Sequence, residues 1–428
     1  MRQVVSSGSP IRGEAQVPGD KSISHRAVLL GAAAGGTSRV RGFPFSGDCR
    51  ASIAAARMLG GEVEEEQGGA LVVRGVGLSH LGEPPDVINC QGSATTMRLL
   101  AGLVAGREMV AVLTGNESLR RRPMGRVVEP LRLMGATVLG RDGDRLPPLV
   151  IRGGGLRGVR YTLPVASAQV KSCVLLAGLS ASGETAVVEP LQTRDHTERM
   201  LAAMGAKVRR QGDAVVLAPA ERLRPLDVEV PGDVSSAAFL VAATLLVPGS
   251  ELRLRGIGVN PTRTGFLDVV RSMGGRIALE DESMAGGEPV ASLVVEHSTL
   301  VATVVRGGLV PRAIDELPLV AVLGTQAEGI TQVRDAQELR VKESDRVAAL
   351  VGELRRMGAR IEEAADGFAV EGPTVLRGAR VRSHGDHRLA MALAVAALVA
   401  DGPVEIEGAE CAQDSFPGFF ELLNSLRR

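Results

Sequence analysis

The sequence predicts an α/β protein built from six repeated units of roughly seventy residues, and two recurring patterns support this prediction. The first pattern is a polar or charged start followed by an apolar helical run that ends at glycine. The second is an amphipathic helix that closes on Leu or Met, then Gly, then Gly or Ala, and soon after Val or Ile. Repeats of this length are whole supersecondary units that bury their apolar faces against one another, which indicates a built-up α/β architecture.

The polar starts occur six times, and the first residues of successive starts lie 68 to 80 residues apart. They are Ser24-His25-Arg26, Ser93-Ala94-Thr95-Thr96, Ser167-Ala168-Gln169, Ser235-Ser236, Asp315-Glu316 and Gly385-Asp386-His387-Arg388. A helix that is apolar on all sides, such as 389–399, must be buried, so its polar start lies where the helix emerges. Because a helix N-terminus carries free N–H groups and partial positive charge, several such ends facing one cleft favour anions. The alternative is that these residues only cap helices, which we expect for Ser235 and Ser236.

The second pattern predicts a left-handed glycine cap followed by a strand. It occurs at Leu59-Gly60-Gly61, Met134-Gly135-Ala136, Met204-Gly205-Ala206, Met273-Gly274-Gly275 and Met357-Gly358-Ala359, and a sixth helix is predicted over 419–426. Short apolar or alternating segments between the helices predict strands at 70–73, 149–151, 214–217, 292–296 and 368–371. The predicted order of elements in each unit is therefore strand, helix, strand, helix, strand, strand.

A short sequence that occurs twice predicts where the chain divides. Val17-Pro18-Gly19-Asp20 returns 213 residues later as Val230-Pro231-Gly232-Asp233, and Pro-Gly-Asp is turn chemistry placed just ahead of a helix. Each copy introduces three of the six units. We therefore expect a first lobe over 19–229 and a second over 1–18 and 230–428, with crossovers near 17–21 and 230–234. Two similar lobes with paired linkers imply a cleft and a hinge.

Composition narrows the class of protein. The 49 basic and 49 acidic residues give zero formal net charge, so we expect no nucleic acid and no membrane surface as partner. The apolar stretches are too short to span a bilayer, and the first residues lack an apolar secretory core. Four scattered cysteines, Cys49, Cys90, Cys173 and Cys411, show no metal spacing, which predicts buried, reduced thiols in a cytoplasmic protein.

Basic residues concentrate at or near the polar starts. Lys21, Ser22 and Arg26 fall within the first two turns of one helix, and Arg122 precedes another. The spacing of Lys342 and Arg346 predicts one shared helical face, although that segment could also be an ordinary solvated face. Such charge, balanced by a few acids, suits a small substrate with several carboxylate or phosphate groups. His384 and His387 suggest a metal, but no third ligand cluster accompanies them, so no metal is predicted.

Four motifs together resemble those of the 5-enolpyruvylshikimate-3-phosphate synthase family, over essentially the whole chain. They are Asp20-Lys-Ser-Ile-Ser-His-Arg26, Leu113-Thr-Gly115 with Arg122-Pro123, Arg340-Val-Lys-Glu-Ser-Asp-Arg346 and Asp386-His-Arg388. The resemblance implies a two-lobed enolpyruvyl transferase fold of six βαβαββ units, three per lobe. It also implies transfer of the enolpyruvyl group of phosphoenolpyruvate to the 5-hydroxyl of shikimate 3-phosphate, with release of phosphate. No metal or organic cofactor is implied, and we expect a monomer.

The resemblance also implies a set of site residues. Asp315 is expected to act as the base near the hydroxyl, with Lys21 and Glu343 exchanging the proton at carbon. Residues expected to hold phosphoenolpyruvate are Lys21, Gly92, Ala94, Arg122, Gln169, Arg346 and Arg388. Those expected to hold shikimate 3-phosphate are Lys21, Ser22, Arg26, Ser167, Ala168, Gln169, Arg194, Asp315 and Lys342.

Two positions depart from the commonest family pattern. Ala94 stands where many members have glycine, and its methyl group is expected to crowd glyphosate, an inhibitor of this family, more than the shorter substrate. Asp414 occupies a position that is Lys in some relatives and uncharged in others, so the sequence leaves open whether that segment contacts phosphoenolpyruvate.

Two other functions fit parts of the sequence. The sister enzyme with a UDP-sugar acceptor shares the six-unit fold, but it would carry a reactive Cys in a loop beside an Arg, and Arg122 has no such neighbour. A non-enzymatic repeat scaffold would leave the polar helix starts without coordinated charge. The basic residues Lys21, Arg346 and Arg388 argue against that alternative.

Overall fold

The computed structural model describes residues 2–427, which form two compact units. The first unit comprises Gly19–Val230 together with the short segment Met284–Glu288, and the second comprises residues 2–18, Pro231–Ser283 and 289–427. Each unit has its own large cluster of buried apolar side chains. The functional lobes expected from the sequence, with a hinge and a cleft, stay a prediction.

Six core helices, three in each unit, are buried along nearly their whole length. They are Lys21–Ala33, Ala94–Ala105, Ala168–Gly178, Val234–Leu246, Leu317–Gly324 and His387–Ala397. Ala, Leu and Val side chains lie on all sides of each of these helices, so no helix has a polar face that would favour exposure to water. The buried apolar helices predicted from the sequence are confirmed.

Six outer helices alternate with the core helices along the chain. They are Gly47–Met58, Gly125–Met134, His196–Ala203, Gly265–Ser272, Arg346–Arg356 and Phe419–Ser425. Five of them end at the predicted glycines, Gly60, Gly135, Gly205, Gly274 and Gly358, whose φ angles lie between +82° and +114°. Only glycine adopts this conformation at little cost, so the predicted caps are confirmed. Shorter helical segments are Leu78–His80, Glu117–Arg120, Arg141–Asp144, Leu309–Ala313, Gln337–Val341 and Ala409–Asp414.

The first unit contains three four-stranded sheets with one common plan. In each, an edge strand pairs in parallel with a second strand, which pairs antiparallel with a third. In spatial order the strands are Val228–Glu229, Gly35–Arg41, Leu71–Val76 and Glu62–Glu65; Ile88–Asn89, Val110–Thr114, Leu146–Arg152 and Thr137–Gly140; and Arg160–Thr162, Thr185–Val188, Ala214–Leu217 and Val208–Gln211. The strands predicted at 70–73, 149–151 and 214–217 are all present.

The second unit follows the same plan and uses the N-terminal segment to complete two sheets. Its two four-stranded sheets are Arg12–Ala15, Glu251–Gly258, Glu288–Glu296 and Arg276–Ala285; and Val304–Val305, Gly329–Val333, Gly367–Gly372 and Arg360–Ala364. Its third sheet has Arg380–Arg382, Val404–Glu407 and Arg2–Val5, and the pair Leu376–Arg377 with Ala400–Asp401 precedes it. Six βαβαββ-like units therefore account for the architecture, as predicted.

Glycine sets the distance between two core helices of the first unit. A Cβ built on Gly102 would lie 2.2 Å from the carbonyl oxygen of Cys173, so no larger residue fits. Ala94–Ala105 and Ala168–Gly178 therefore pack backbone to backbone. This close packing brings the polar starts of both helices together.

Asp20 and Asp233 perform the same local task in the two units. Each occupies the N-cap of a core helix with extended φ and ψ, and its carboxylate accepts a hydrogen bond from a backbone N–H of the first turn. The turn chemistry of the repeated Pro-Gly-Asp is confirmed. Over the described part of the chain, no helix has the length and apolar character needed to cross a bilayer.

Candidate active site

Lys21 begins the first core helix and lies against a carboxylate of the neighbouring outer helix. Its Nζ is 2.9 Å from Asp48 Oδ2, and the two side chains are 14% and 24% exposed. Asp48 lies in the first turn of Gly47–Met58, where an acid complements the helix dipole. The Lys21 ammonium is therefore held at a defined position with access to solvent.

His25, one turn further along this helix, is a neutral hydrogen-bonding residue. Burial lowers its pKa to about 4, an effect larger than that of the neighbouring charges, so the imidazole is uncharged at neutral pH. Its Nδ1 lies 2.8 Å from Ser52 Oγ, and Ser52 Oγ lies 2.8 Å from Thr96 Oγ1. The Thr96 hydroxyl in turn donates to Ser93 Oγ at 2.8 Å. This chain of hydroxyls joins the helix that begins at Lys21 to the helix that begins at Ala94.

Arg26 donates its hydrogen bonds to uncharged oxygens. Its Nε reaches Thr197 Oγ1 at 2.6 Å, and its terminal nitrogens reach Ser172 Oγ at 2.8 Å and the Ser22 carbonyl at 2.7 Å. Burial lowers the pKa of Arg26 to about 10, with Glu198 opposing the shift, so the guanidinium stays charged at neutral pH. A buried cation held mainly by neutral groups keeps much of its charge available to an anion.

Arg98 fixes the side chain of Gln169. An Arg98 terminal nitrogen donates to Gln169 Oε1 at 2.5 Å, and the Gln169 amide nitrogen donates to Thr95 Oγ1 at 2.9 Å. The other terminal nitrogen of Arg98 donates to the Pro123 carbonyl at 2.9 Å, directly after Arg122. The structure thus brings together three segments that the sequence singled out at Ala94, Arg122 and Gln169.

Lys171 lies on the same helix as Gln169 but is fully buried. Its Nζ is 2.9 Å from Glu189 Oε1 and 2.6 Å from Glu198 Oε1. Glu189 also accepts the Thr193 N–H at 3.0 Å, so the cluster holds the backbone next to Arg194. Lys171 is therefore a structural residue of this unit, whereas Arg194 is half-buried at the end of the segment that Lys171 supports.

The remaining first-unit residues lie at helix starts or in the turns before them. Ser167 is the N-cap of its core helix, its hydroxyl accepting from Val170 N at 3.4 Å, and Ala168 is the first helical residue. Ala94 begins its own core helix and is 3% exposed. Gly92 and Arg122 are half-buried.

In the second unit, Arg346 is surrounded by carboxylates. Its Nε is 2.7 Å from Asp386 Oδ2, and its terminal nitrogens lie 2.5 Å from Glu343 Oε2 and 3.6 Å from Asp315 Oδ1. Burial alone would lower the pKa of Arg346, but Asp386, Glu343 and Asp315 outweigh it and raise that pKa above its usual range. The side chain is 1% exposed, so these acids are its immediate environment.

The prediction that Lys342 and Arg346 share a helical face is wrong. Lys342 has extended backbone angles, and the outer helix begins only at Arg346 because Asp345 caps it, accepting from Ala348 N at 3.0 Å. A local spacing of four residues carried no information about this cap. The two cations nevertheless meet at one carboxylate, since Lys342 Nζ lies 3.6 Å from Asp315 Oδ1.

Arg388 connects the starts of all three core helices of the second unit. It donates to Ser235 Oγ at 2.8 Å and to the Asp315 carbonyl at 3.2 Å, and its NH1 lies 3.7 Å from Glu316 Oε1.

The prediction that Ser235 and Ser236 only cap their helix is wrong. Asp233 is the cap, and Ser235 instead donates its hydroxyl hydrogen to the Glu316 carboxylate.

The structure also bears on the sequence predictions about a metal site and about the four cysteines. His384 Nε2 lies 2.8 Å from Glu353 Oε1, and no group of three or more His, Cys, Asp or Glu side chains within residues 2–427 is arranged to hold a metal ion. Cys49, Cys90 and Cys173 are buried, and burial raises each thiol pKa to about 12. Cys411 is only half-buried, which corrects the prediction for that residue, because its short helical segment lies at the surface with Asp414 exposed.

Sequence reasoning gave no role in the site to four charged residues that complete these clusters, although it placed one of them, Asp233, in a turn before a helix. They are Asp48, Arg98, Asp233 and Arg263, and Glu316 received no role. One signal was available for Arg98, because a charge inside an apolar core helix requires a buried partner. Another was available for Asp233, because the repeated Pro-Gly-Asp places it at a helix N-terminus. Asp48 and Arg263 carried no local signal.

Comparisons with known proteins cover almost the whole chain. The family model described as EPSP synthase (3-phosphoshikimate 1-carboxyvinyltransferase) matches residues 5–423. A 3-phosphoshikimate 1-carboxyvinyltransferase of Desulforudis audaxviator is 52% identical over 97% of both chains. Another from Anaeromyxobacter sp. strain K is 54% identical over 97% of this chain and 94% of that protein.

Solved structures agree with these relatives. An EPSP synthase from Acinetobacter baumannii superposes with a TM-score of 0.88 at 41% identity, covering 100% of this chain and 98% of that one. The enolpyruvyl transferase NikO from Streptomyces tendae gives a TM-score of 0.80 at 19% identity, covering 99% and 96%, which shows the shared fold alone. The chain therefore belongs to the EPSP synthase family, the 3-phosphoshikimate 1-carboxyvinyltransferases (EC 2.5.1.19) of the shikimate pathway.

Proposed function

We propose that Asp315 is the general base that removes the proton from the 5-hydroxyl of shikimate 3-phosphate. The supporting observation is the number of cations around its carboxylate: Lys342 and Arg346 at 3.6 Å, Arg388 at 3.8 Å and Arg263 at 3.9 Å. Opposite charges at this range favour the ionised form of a carboxylate, which is the form that accepts a proton. Asp386 and Glu343 share Arg346, so part of the positive charge of Arg346 is offset by acids other than Asp315.

The reaction then proceeds by addition and elimination. The hydroxyl oxygen bonds to the enol carbon while the double bond takes a proton at its methylene carbon, which becomes a methyl group. The tetrahedral intermediate next loses phosphate, and a proton leaves the methyl group to restore the double bond. Lys21 and Glu343 carry the proton at this carbon in the proposal. Their side chains are 14% and 25% exposed, so both reach solvent in the structure.

The two substrates are held by different sets of residues in the same proposal. Phosphoenolpyruvate is bound by Lys21, Gly92, Ala94, Arg122, Gln169, Arg346 and Arg388, and shikimate 3-phosphate by Lys21, Ser22, Arg26, Ser167, Ala168, Gln169, Arg194, Asp315 and Lys342. The neutral partners of Arg26 and the fixed amide of Gln169 support these roles. Because Arg346 is buried against acids, its role requires that it exchange Glu343 for a substrate oxygen.

Release of phosphate from phosphoenolpyruvate tests the substrate assignment. We expect release with shikimate 3-phosphate as acceptor and none with UDP-N-acetylglucosamine. The inverse result would favour the sister enzyme that uses a UDP-sugar.

We also propose that the protein is a cytoplasmic monomer. The free cysteines and the zero net charge support the cytoplasmic location, and light scattering of the purified enzyme tests the oligomeric state.

Substitution of Asp315 by Asn tests the base directly. Asn keeps the size and hydrogen bonding of the residue, so we expect shikimate 3-phosphate to bind, while kcat falls by on the order of a hundredfold or more. Asp401→Asn, on an exposed residue of the same unit, is the matched control and should keep normal turnover. Near-normal turnover of Asp315→Asn would remove this residue from the role.

A further inference from the structure

Arg263 is a buried arginine that joins three acids of the second unit. It is 3% exposed, and its NH2 lies 3.0 Å from Asp233 Oδ1. Its NH1 lies 3.9 Å from Asp315 Oδ2 and 3.8 Å from Glu316 Oε1. One guanidinium thus links a core helix N-cap to two consecutive carboxylates.

Arg388 approaches the same two carboxylates at nearly the same distances. Its NH2 lies 3.8 Å from Asp315 Oδ2, and its NH1 lies 3.7 Å from Glu316 Oε1. The adjacent acids therefore have two guanidinium groups as neighbours. Arg388 lies at the polar start of a core helix, whereas Arg263 lies in the loop before Gly265–Ser272 and is the less exposed of the two side chains, at 3% against 9%.

The loop that carries Arg263 is fastened to the segment that carries Asp315. The Asn260 side chain accepts from both the N–H and the hydroxyl of Thr262, which closes the turn. Arg312, which lies three residues before Asp315, donates to the Pro261 carbonyl at 2.8 Å. A Cβ on Gly265 would lie 2.8 Å from the Arg312 carbonyl carbon, so glycine permits this approach. Arg263 therefore has a fixed position relative to the acids.

We infer that Arg263 is a positioning residue, the permanent counter-charge of Asp315 and Glu316, which leaves Arg388 available to the phosphoenolpyruvate anion. This inference rests on the proposed roles of Asp315 and Arg388. When Arg388 turns to a substrate oxygen, the two carboxylates lose one of their cations. Asp315 keeps Lys342 and Arg346 as neighbours at that moment. The buried Glu316 would pull Arg388 back, and Arg263 prevents this by remaining in place.

Two effects are expected of Arg263→Gln. First, Arg388 is held more strongly by the acids, so KM for phosphoenolpyruvate rises by roughly tenfold. Second, Asp315 loses a nearby cation, so its carboxylate takes up a proton at a higher pH than in the unaltered enzyme. The acid limb of the pH profile of kcat/KM therefore moves up by about one pH unit. The charged groups that face Asp315, directly or through these cations, are Arg263, Lys342, Arg346, Arg388, Glu316, Asp233, Glu343 and Asp386. Arg263→Lys keeps the charge and should give an intermediate KM.

Arg271→Gln is the matched control, because Arg271 lies on the adjacent helix, is 42% exposed and lies 3.6 Å from the exposed carboxylate of Asp268. A purely structural role for Arg263 would lower the melting temperature and the amount of active enzyme while leaving KM and the pH profile unchanged. Such a result, or kinetic constants equal to those of Arg271→Gln, overturns the inference. If Arg263→Gln does not fold, Arg263→Met is measured in its place, and an unaltered KM and pH profile in that neutral variant overturns the inference equally.

The same measurements separate this inference from the proposed base. Normal turnover in Asp315→Asn contradicts the proposed role of Asp315, whatever Arg263 does. An inactive Asp315→Asn together with an Arg263→Gln that matches its control contradicts only the inference about Arg263.

Discussion

The two units hold their buried arginines in opposite ways. In the first unit, Arg26 donates to hydroxyl and carbonyl oxygens, and Arg98 donates to an amide and a carbonyl oxygen. In the second unit, Arg346 and Arg388 lie against carboxylates. The pKa values follow this division, since burial lowers that of Arg26 to about 10 and acids raise that of Arg346.

This difference teaches that one chain can hold buried arginines in two ways, with different consequences for anion binding. A guanidinium that is held by neutral groups keeps its charge for a substrate anion and gives firm binding. A guanidinium that shares several carboxylates contributes little net charge, but it holds those acids at fixed positions. In the proposed roles, Arg26 binds an anion without leaving an acid, whereas Arg346 and Arg388 exchange a carboxylate for a substrate oxygen.

Replacing Arg346 with Met should give the largest effect on stability. The substitution leaves Asp386 fully buried without its main cation, and breaking a buried pair in this way costs about 3–5 kcal/mol. Urea unfolding monitored by circular dichroism measures the loss. Arg356→Met is the control, since that side chain is 62% exposed and should change the free energy of unfolding by no more than about 0.5 kcal/mol. Equal losses in the two variants would show that the acid cluster does not stabilise the second unit.

Replacing Lys171 with Met probes a first-unit cluster in which a fully buried cation lies between two carboxylates, and its effect should depend on pH. Burial raises the pKa of Glu198 above its usual value, and Lys171 opposes that shift. The folded state therefore binds this proton more tightly than the unfolded state, so the stability from Glu198 is lost as pH rises through the raised pKa. Without Lys171 this loss is greater.

We thus expect Lys171→Met to cost about 3 kcal/mol at pH 8 and less at pH 5, because a lower pH favours the protonated form of Glu198, which needs no counter-charge. Unfolding curves at the two pH values measure this difference. Lys207→Met, on an exposed residue of the same unit, should show no pH-dependent loss. A loss for Lys171→Met that is the same at both pH values would mean that Glu198 does not titrate in this range.

Substitution of Ala94 by Gly should change stability least and inhibitor selectivity most. Glycine at the first residue of this core helix costs up to about 1 kcal/mol. If the Ala94 methyl group crowds glyphosate more than phosphoenolpyruvate, the variant becomes more sensitive to this inhibitor while KM for phosphoenolpyruvate changes little. Inhibition constants measured against phosphoenolpyruvate in both proteins decide the point, and equal constants would leave only the effect on helix stability.

The sequence by itself determined the local structure of this protein. Gly60, Gly135 and their counterparts could be assigned as left-handed caps because a positive φ excludes most other residues. Asp20 and Asp233 could be assigned before their helices because short acids satisfy free N–H groups. All of these features depend on residues within a few positions of one another, and the repeat of the pattern then gave the number of units.

Only the tertiary structure decided which polar groups meet. Ser235 contacts Glu316 across 81 residues of sequence and Arg388 across 153, and no local pattern encodes such a distance. Lys171 and Gln169 lie two residues apart on one helix, yet the first is buried between two glutamates and the second is held by Arg98. The physical reason is that a buried charge takes its properties from the partners that packing supplies, and packing is set by the whole unit.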